Sequence, residues 1–323
     1  MRGVRRRNVV SWSAVVFAVA IAMVVFHAPG TSQGLGRGED QTVTYTRGQS
    51  VVPVFHGWMK NPDGTFDLYF SYINRNWQEE LDIPTGPDNA ISPEPFGPDG
   101  GQPTHFYPRI NRWQFAVRVP AEFGNKEIVW TLTAHGQTHR AFGTLNPGYE
   151  VDDFIIQHEY GNSIRGRKRP VLQVEGEKQR TVKVGQPIQL VAVATDPNPP
   201  LPARRGGGAN DGGPGGARSA GELAPGPVGG DFVRGTARGL YLAWLVYRGA
   251  GTVTFDPPIP FKVWEDQRGG SPWSPGWQPP PIPPGNKWVH NVTFREPGTY
   301  VLRAQARDGF LYANENLTFT VTP

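Results

Sequence analysis

The sequence predicts an all-β chain: two β-sandwich domains in tandem after an N-terminal signal or anchor helix. Three observations predict it. Glycine (41) and proline (33) are abundant in 323 residues, as expected of a chain with many turns. Beyond residue 30 no long segment repeats its apolar residues with a helical period. Short runs that alternate apolar and polar residues recur in both halves, bounded by Asn-Pro-Asp-Gly, Pro-Gly and Asp-Gly.

Residues 1–35 read as a signal peptide or an N-terminal membrane anchor. Arg2, Arg5, Arg6 and Arg7 precede Val9 to Phe26, an 18-residue run without a charge. That length is long for a signal core and short for a spanning helix. Ala28-Pro29-Gly30 offers small residues for cleavage, but the proline opposes it, so both outcomes stay open. In either case residues 37–323 are expected outside the cytoplasm, anchored in the inner membrane by residues 9–26 if the segment is retained.

The four leading arginines equal the whole formal net charge of +4, and the first 36 residues contain no acid. The remainder is balanced, so its charge gives no support for a nucleic-acid partner. With no cysteine, the chain has no disulfide, thiol nucleophile or thiolate metal site.

Residues 41–150 are expected to form the first β-sandwich. Val51–Met59 and Thr65–Asn74 flank Asn61-Pro62-Asp63-Gly64, a hairpin signal. Short or alternating strands follow at Glu80–Ile83, Arg112–Val119, Lys126–Thr133 and Thr138–Leu145. The 84–108 loop is long enough to be functional or packed over the surface. Its Asp88, Asn89, Glu94 and Asp99 are oxygen donors for calcium, but they lack EF-hand spacing and are also ordinary turn residues. His56, His105, His135, His139 and His158 show no metal-site spacing, although His135 and His139 flank a turn. Most aromatics belong in a core, with Trp77 and Phe106-Tyr107 as surface candidates for stacking sugar rings.

Residues 151–170 read as a linker. Phe154-Ile155-Ile156 is a short strand or docking segment, and Arg165, Arg167, Lys168 and Arg169 form a solvated basic cluster. Residues 171–323 are expected to form the second sandwich. Ile188, Leu190, Ala192 and Ala194 share one strand face, as do Leu242, Trp244 and Val246. In the closing hairpin Tyr300, Leu302, Ala304 and Ala306 face the core, and Val301, Arg303, Gln305 and Arg307 face solvent. Two insertions interrupt this half: a Gly/Pro-rich stretch at 197–237, expected to be disordered, and a Pro/Trp-rich loop at 271–284 carrying Trp273 and Trp277. These tryptophans either fold back onto the sandwich or form a recognition surface. Asp196, Asn198 and Asp308 fall at one end of such a sandwich, where they could share a calcium ion or simply form turns.

The phrase from Val184 to Pro197, together with Glu296-Pro297-Gly298-Thr299-Tyr300 and the Thr-rich closing strand, resembles a PKD-type or related immunoglobulin-like domain over roughly residues 180–323. The resemblance implies an immunoglobulin-like sandwich with Trp244 inward and Tyr300 in a tyrosine corner. It also implies a non-catalytic extracellular module. Where PKD domains carry a Trp-Asp-Phe-Gly-Asp-Gly type motif, this chain has Trp244-Leu245-Val246-Tyr247-Arg248-Gly249. The first half resembles exported bacterial proteins with no assigned activity, through Gly57-Trp58, Asn61-Pro62-Asp63-Gly64, Tyr72-Ile73-Asn74-Arg75-Asn76 and Gln102-Pro103-Thr104-His105-Phe106.

No nucleophile elbow, metalloprotease helix or phosphate loop is present. Glu79-Glu80 and Asp152-Asp153 are adjacent pairs, which point to opposite faces if they lie in a strand. The expectation is therefore a non-enzymatic cell-envelope protein that binds or scaffolds a protein or polysaccharide partner, without catalytic residues, cofactor or metal. The alternative is a carbohydrate-binding protein using exposed aromatics; a hydrolase of unrecognised type is the remaining class.

Overall fold

The hairpin signals place the first strands. β1 (Val51–Lys60) and β2 (Phe66–Asn74) pair in antiparallel register around Asn61 to Thr65. Asn61 N–H donates to Thr65 O at 2.8 Å, and Gly64 takes the positive φ (87°) that closes the turn. β6 (Arg109–Val119) joins β2, giving one three-stranded sheet. The second sheet is β4 (Asn89–Ser92), β7 (Ile128–Ala134) and β8 (Gln137–Gly143). Leu68, Phe70, Phe115, Val117, Trp130 and Leu132 fill the core between them.

A computed structural model describes residues 45–161, 164–199 and 238–323. The targeting segment (1–35), its apolar run and anchor helix (9–26), and nearly all of the 197–237 insertion lie outside the described residues. Among the described residues no helix is long and apolar enough to cross a membrane.

The 84–108 loop has secondary structure of its own. It contains β4 and also β5 (His105–Phe106), which pairs with β3 (Leu81–Asp82). Buried Asn89 ties it down: Nδ2 donates to Ile83 O (2.9 Å) and Pro103 O (2.8 Å), and Oδ1 accepts from Trp130 Nε1 (3.0 Å). At Phe154-Ile155-Ile156 the chain is helical, not extended. α1 (Asp153–Glu159) starts where Asp152 Oδ1 accepts from Ile155 N–H at 2.8 Å, an N-cap that satisfies an otherwise orphaned donor.

The second sandwich contains β9 (Val171–Val174), β10 (Gln179–Lys183), β11 (Ile188–Thr195), β12 (Tyr241–Arg248), β13 (Val253–Asp256), β14 (Lys287–Phe294), β15 (Gly298–Arg307) and β16 (Tyr312–Thr322). One sheet runs β13-β14-β11-β9 and the other β10-β16-β15-β12, with β10 parallel to β16. This is the ABED and CFG arrangement of an immunoglobulin-like sandwich. Trp244 is buried in its core (1% exposed). Tyr300 forms the tyrosine corner, donating its hydroxyl to Glu296 O (3.0 Å) and Ala250 O (3.2 Å).

The two sandwiches belong to one compact unit, Tyr45–Pro323. Besides their two cores, two further apolar clusters draw residues from both halves. One joins Trp113, Val151, Ile156 and Tyr160 to Trp273, Phe310 and Tyr312. The other joins Tyr107 to Tyr241, Leu245, Phe261 and Trp277.

Candidate functional site

The face of β15 expected in solvent is buried. Arg303, Gln305 and Arg307 are 5%, 5% and 8% exposed, because β6 of the first half and Tyr160, at the end of α1 in the joining segment, cover them. The second face of β12 is covered as well, with Tyr241, Ala243, Leu245 and Tyr247 all buried.

A bulge prepares the first sandwich for this contact. Between Phe70/Tyr72 and Phe115/Asn111 the pairing slips, and Trp113 takes φ 55° while its N–H donates to Ser71 Oγ at 2.6 Å. Bulges re-aim side chains. Strict alternation would place Trp113 beside Phe115 and Val117 in its own core; instead it enters the cluster between the sandwiches.

Arginines and aromatics make up much of the seam. Arg303 Nη1 donates to Gln114 O (2.6 Å), with its guanidinium 3.6 Å from the Tyr247 ring centroid. Arg307 Nη2 donates to Tyr160 OH (3.2 Å), and Tyr312 OH donates to Trp113 O (3.3 Å). Trp77 lies between two guanidinium groups, Arg109 at 4.0 Å and Arg268 at 3.8 Å. Such contacts strengthen when water is excluded. The edge of β12 is capped too: Thr104 N–H donates to Tyr247 O (3.1 Å), and Tyr107 OH accepts from Val246 N–H (2.9 Å).

A charged chain crosses the same seam. His56 Nδ1 meets Glu159 (3.2 Å), Arg112 Nη1 meets Glu159 (3.3 Å), and Arg112 Nε donates to buried Glu265 (2.7 Å). Burial pushes the Glu265 carboxyl up to about 7 against the pull of Arg112. Burial would also raise Glu159, but His56 and Arg112 hold it below the usual carboxylate range. A carboxyl near 7 is suited to proton transfer only if substrate reaches it. The void that Arg112 lines beside Tyr107, Asn111, Gln305 and Arg307 is about 10 Å³, roughly the space of one water. These ion pairs tie His56, Arg112 and Glu159 to Glu265 across the seam.

The sequence candidates take other places. Phe106 is fully buried, and Tyr107 stacks on Trp264 with centroids 5.8 Å apart. Trp273 is buried, and Trp277 packs edge-on against Tyr241 and Phe261. With Trp77 clamped as well, these rings do not form an open stacking platform. Asp88 and Glu94 are exposed, Asn89 is spent on backbone, and Asp99 pairs with Arg248 at 2.7 Å. His135 meets Glu79 while His139 meets Ser50, so the two do not converge. Among the described residues no group of three or more His, Asp or Glu is placed to hold a metal. Asp152 caps α1, and Asp153 pairs with Arg169.

Asp196, Asn198 and Asp308 do come together, around an arginine. Arg167 Nη2 reaches Asp308 (2.7 Å) and Asp196 (3.1 Å), and Asn198 bonds Lys168 and Asp196. The basic cluster is thus not wholly solvated: the Arg167 side chain is only 6% exposed. A guanidinium supplies the positive charge that calcium would have supplied.

Beyond the seam the sandwiches diverge into an open cleft of about 460 Å³. Asp82, Pro84, Thr85 and Thr104 line one side; Arg248, Gly249, Ala250, Thr299, Val301 and Thr318 line the other. His105 lies nearby. Burial would lower its imidazole, but hydrogen bonds to Asp82 (2.8 Å) and Glu80 (3.1 Å) outweigh that and bring it up to about 9.

These features define a tandem of two immunoglobulin-like β-sandwiches fused along a polar seam. No family model matches the chain, so the PKD-specific resemblance finds no support beyond the immunoglobulin-like class. No curated protein matches it either. Similar solved structures include the eight N-terminal immunoglobulin domains of Down Syndrome Cell Adhesion Molecule, at 8% identity and TM-score 0.23, over 84% of this chain and 27% of that one. The D00-D0 domain of intimin has 8% identity and TM-score 0.22, over 84% and 99%. The Yersinia pseudotuberculosis adhesin InvE has 10% identity and TM-score 0.20, over 85% and 60%. Likenesses this distant do not carry function.

The seam residues Trp113, Arg112, Glu265, Arg303 and Arg307 escape sequence reasoning that treats each strand separately. One signal was present: Leu240 to Tyr247 is apolar without a break, the pattern of a strand covered on both faces.

Proposed function

We propose that this chain is a non-catalytic binding and scaffolding module of the cell envelope, exported through its N-terminal segment or anchored by it outside the cytoplasm. The seam carries this reading. Arg303, Gln305 and Arg307 are buried by the other sandwich, so the two sandwiches present their free surfaces at a fixed angle. A module with fixed geometry holds a partner at a set angle, whereas flexibly linked sandwiches move relative to one another. The charged groups of the seam, Arg112, Glu265, Arg303 and Arg307, are engaged with protein partners and leave room for about one water, which favours structure over catalysis.

Fractionation of host cells making the full chain, with crosslinking in intact cells, tests the proposal. The expected result is an envelope protein, reached by protease only from outside the inner membrane and crosslinked to an envelope protein or polysaccharide. Recovery from the cytosol, or uncrosslinked protein throughout, overturns it.

A further inference from the structure

We propose that the cleft between the sandwiches binds a short neutral oligosaccharide, an inference that rests on the binding-module reading. The floor of the cleft continues the face that makes the seam. On β15 and β16 the partners Arg307/Tyr312, Gln305/Asn314 and Arg303/Asn316 are followed by Val301/Thr318 and Thr299/Thr320. On β15 the series runs from buried Arg307, Gln305 and Arg303 to half-buried Val301 and exposed Thr299, while on β16 Thr318 is half-buried and Asn314, Asn316 and Thr320 are exposed. Thr181 on β10 extends the Thr299/Thr320 row.

The chemistry of the lining selects the ligand. Thr85, Thr299 and Thr318 offer hydroxyls, Thr104 Oγ1 being held by Gly249 N–H (3.0 Å), and Val301, Pro84 and the threonine methyls offer apolar surface. A sugar has the matching pair, hydroxyl edges and C–H faces. The charged side chains at the cleft are already paired within the protein. Arg248 is forked onto Asp99 at 2.7 and 2.9 Å, and Asp82 holds His105 at 2.8 Å. An ionic ligand would have to break one of these pairs, whereas a neutral one need not.

A peptide fits less well. Strand addition needs an unpaired edge, and β15 and β16 are internal strands, paired on both sides. The floor therefore offers side chains and no backbone groups. The volume, about 460 Å³, falls in the roughly 300–1,000 Å³ range of small-ligand sites. One wall is rigid at close quarters. Gly249 has φ 116°, and a Cβ there would strike the Tyr300 ring, so the tyrosine corner sets the shape of that end.

Isothermal titration of the 323-residue chain with maltohexaose, cellohexaose, laminarihexaose and chitohexaose tests this. At least one binds. Thr318→Trp, which fills the floor, and Thr85→Tyr, which narrows the opposite wall, each weaken that binding by about tenfold or more, equivalent to roughly 1.4 kcal/mol, with the unfolding midpoint unchanged. The proposal is overturned if no oligosaccharide binds, if both folded variants bind as the parent does, or if a peptide library binds in the cleft instead. Any of those results removes this site alone; the module reading falls on the fractionation and crosslinking outcome.

Discussion

The sandwich cores and the seam between them are buried to similar depth but are built from different chemistry. In the first core Leu68, Phe70, Trp130 and Leu132 are at 0% exposure and meet one another as apolar surface. In the seam Arg303, Gln305, Arg307 and Glu265 are nearly as buried, yet each is tied to a polar partner across or within it. A core forms from any well-patterned strands, because burial of apolar area is nondirectional. A seam of arginines forms only when donors meet their acceptors, since an unpaired buried polar group is costly. The cores thus give each sandwich its stability, and the seam gives the pair its geometry.

Substitutions can break this comparison from either side. Phe70→Ala, in the core, should cost about 3–5 kcal/mol, the range for a large aromatic removed from a packed interior; urea unfolding measures it as a lowered midpoint. Arg303→Ala alone should cost less, about 1.5–3 kcal/mol for one charged hydrogen-bonding group lost, and adding Arg307→Ala should separate the unfolding of the two sandwiches.

Two titratable groups make stability depend on pH. His105 has its pKa raised from 6.5 to about 9. Its stabilisation is fully present below about 6.5 and is lost as pH rises through 9. The gain is at most about 3 kcal/mol, reduced because Asp82 and Glu80 are 38% and 42% exposed. Glu265 is raised from 4.5 to about 7, so the stability it contributes is present below 4.5 and is lost as pH rises through 7. Urea midpoints across pH should decline in both windows; His105→Ala should flatten the upper one and Glu265→Gln the lower.

Smaller effects are expected at the margins. Trp77→Ala removes the ring between Arg109 and Arg268 and should cost about 1–2 kcal/mol, read as faster hydrogen exchange along the seam. Tyr300→Phe deletes only the corner hydroxyl and should cost about 1 kcal/mol, read as a lower thermal midpoint with the seam intact.

The cores were legible in the sequence because alternation reports one buried face. Phe66 to Tyr72, Ile188 to Ala194 and Tyr300 to Ala306 read correctly, and Asn61 to Gly64 and the Tyr300 corner followed from local turn chemistry. The seam was not legible, for two reasons. Alternation assigns the second face of β15 to water, and no local signal says that another sandwich covers it. The bulge at Trp113 turns that side chain away from the core its period predicts. The cluster of Asp196, Asn198 and Asp308 was foreseen from the fold, but its cation, Arg167, comes from the segment read as a solvated linker. The cleft is assembled from residues as distant as Asp82 and Thr318, a juxtaposition that strand patterns do not encode.

Differential scanning calorimetry tests the fused pair most directly. One cooperative transition is expected for residues 45–323, with calorimetric and van't Hoff enthalpies in agreement, resolving into two when Arg303 and Arg307 are both replaced by alanine. Two separate transitions in the unaltered chain would contradict it.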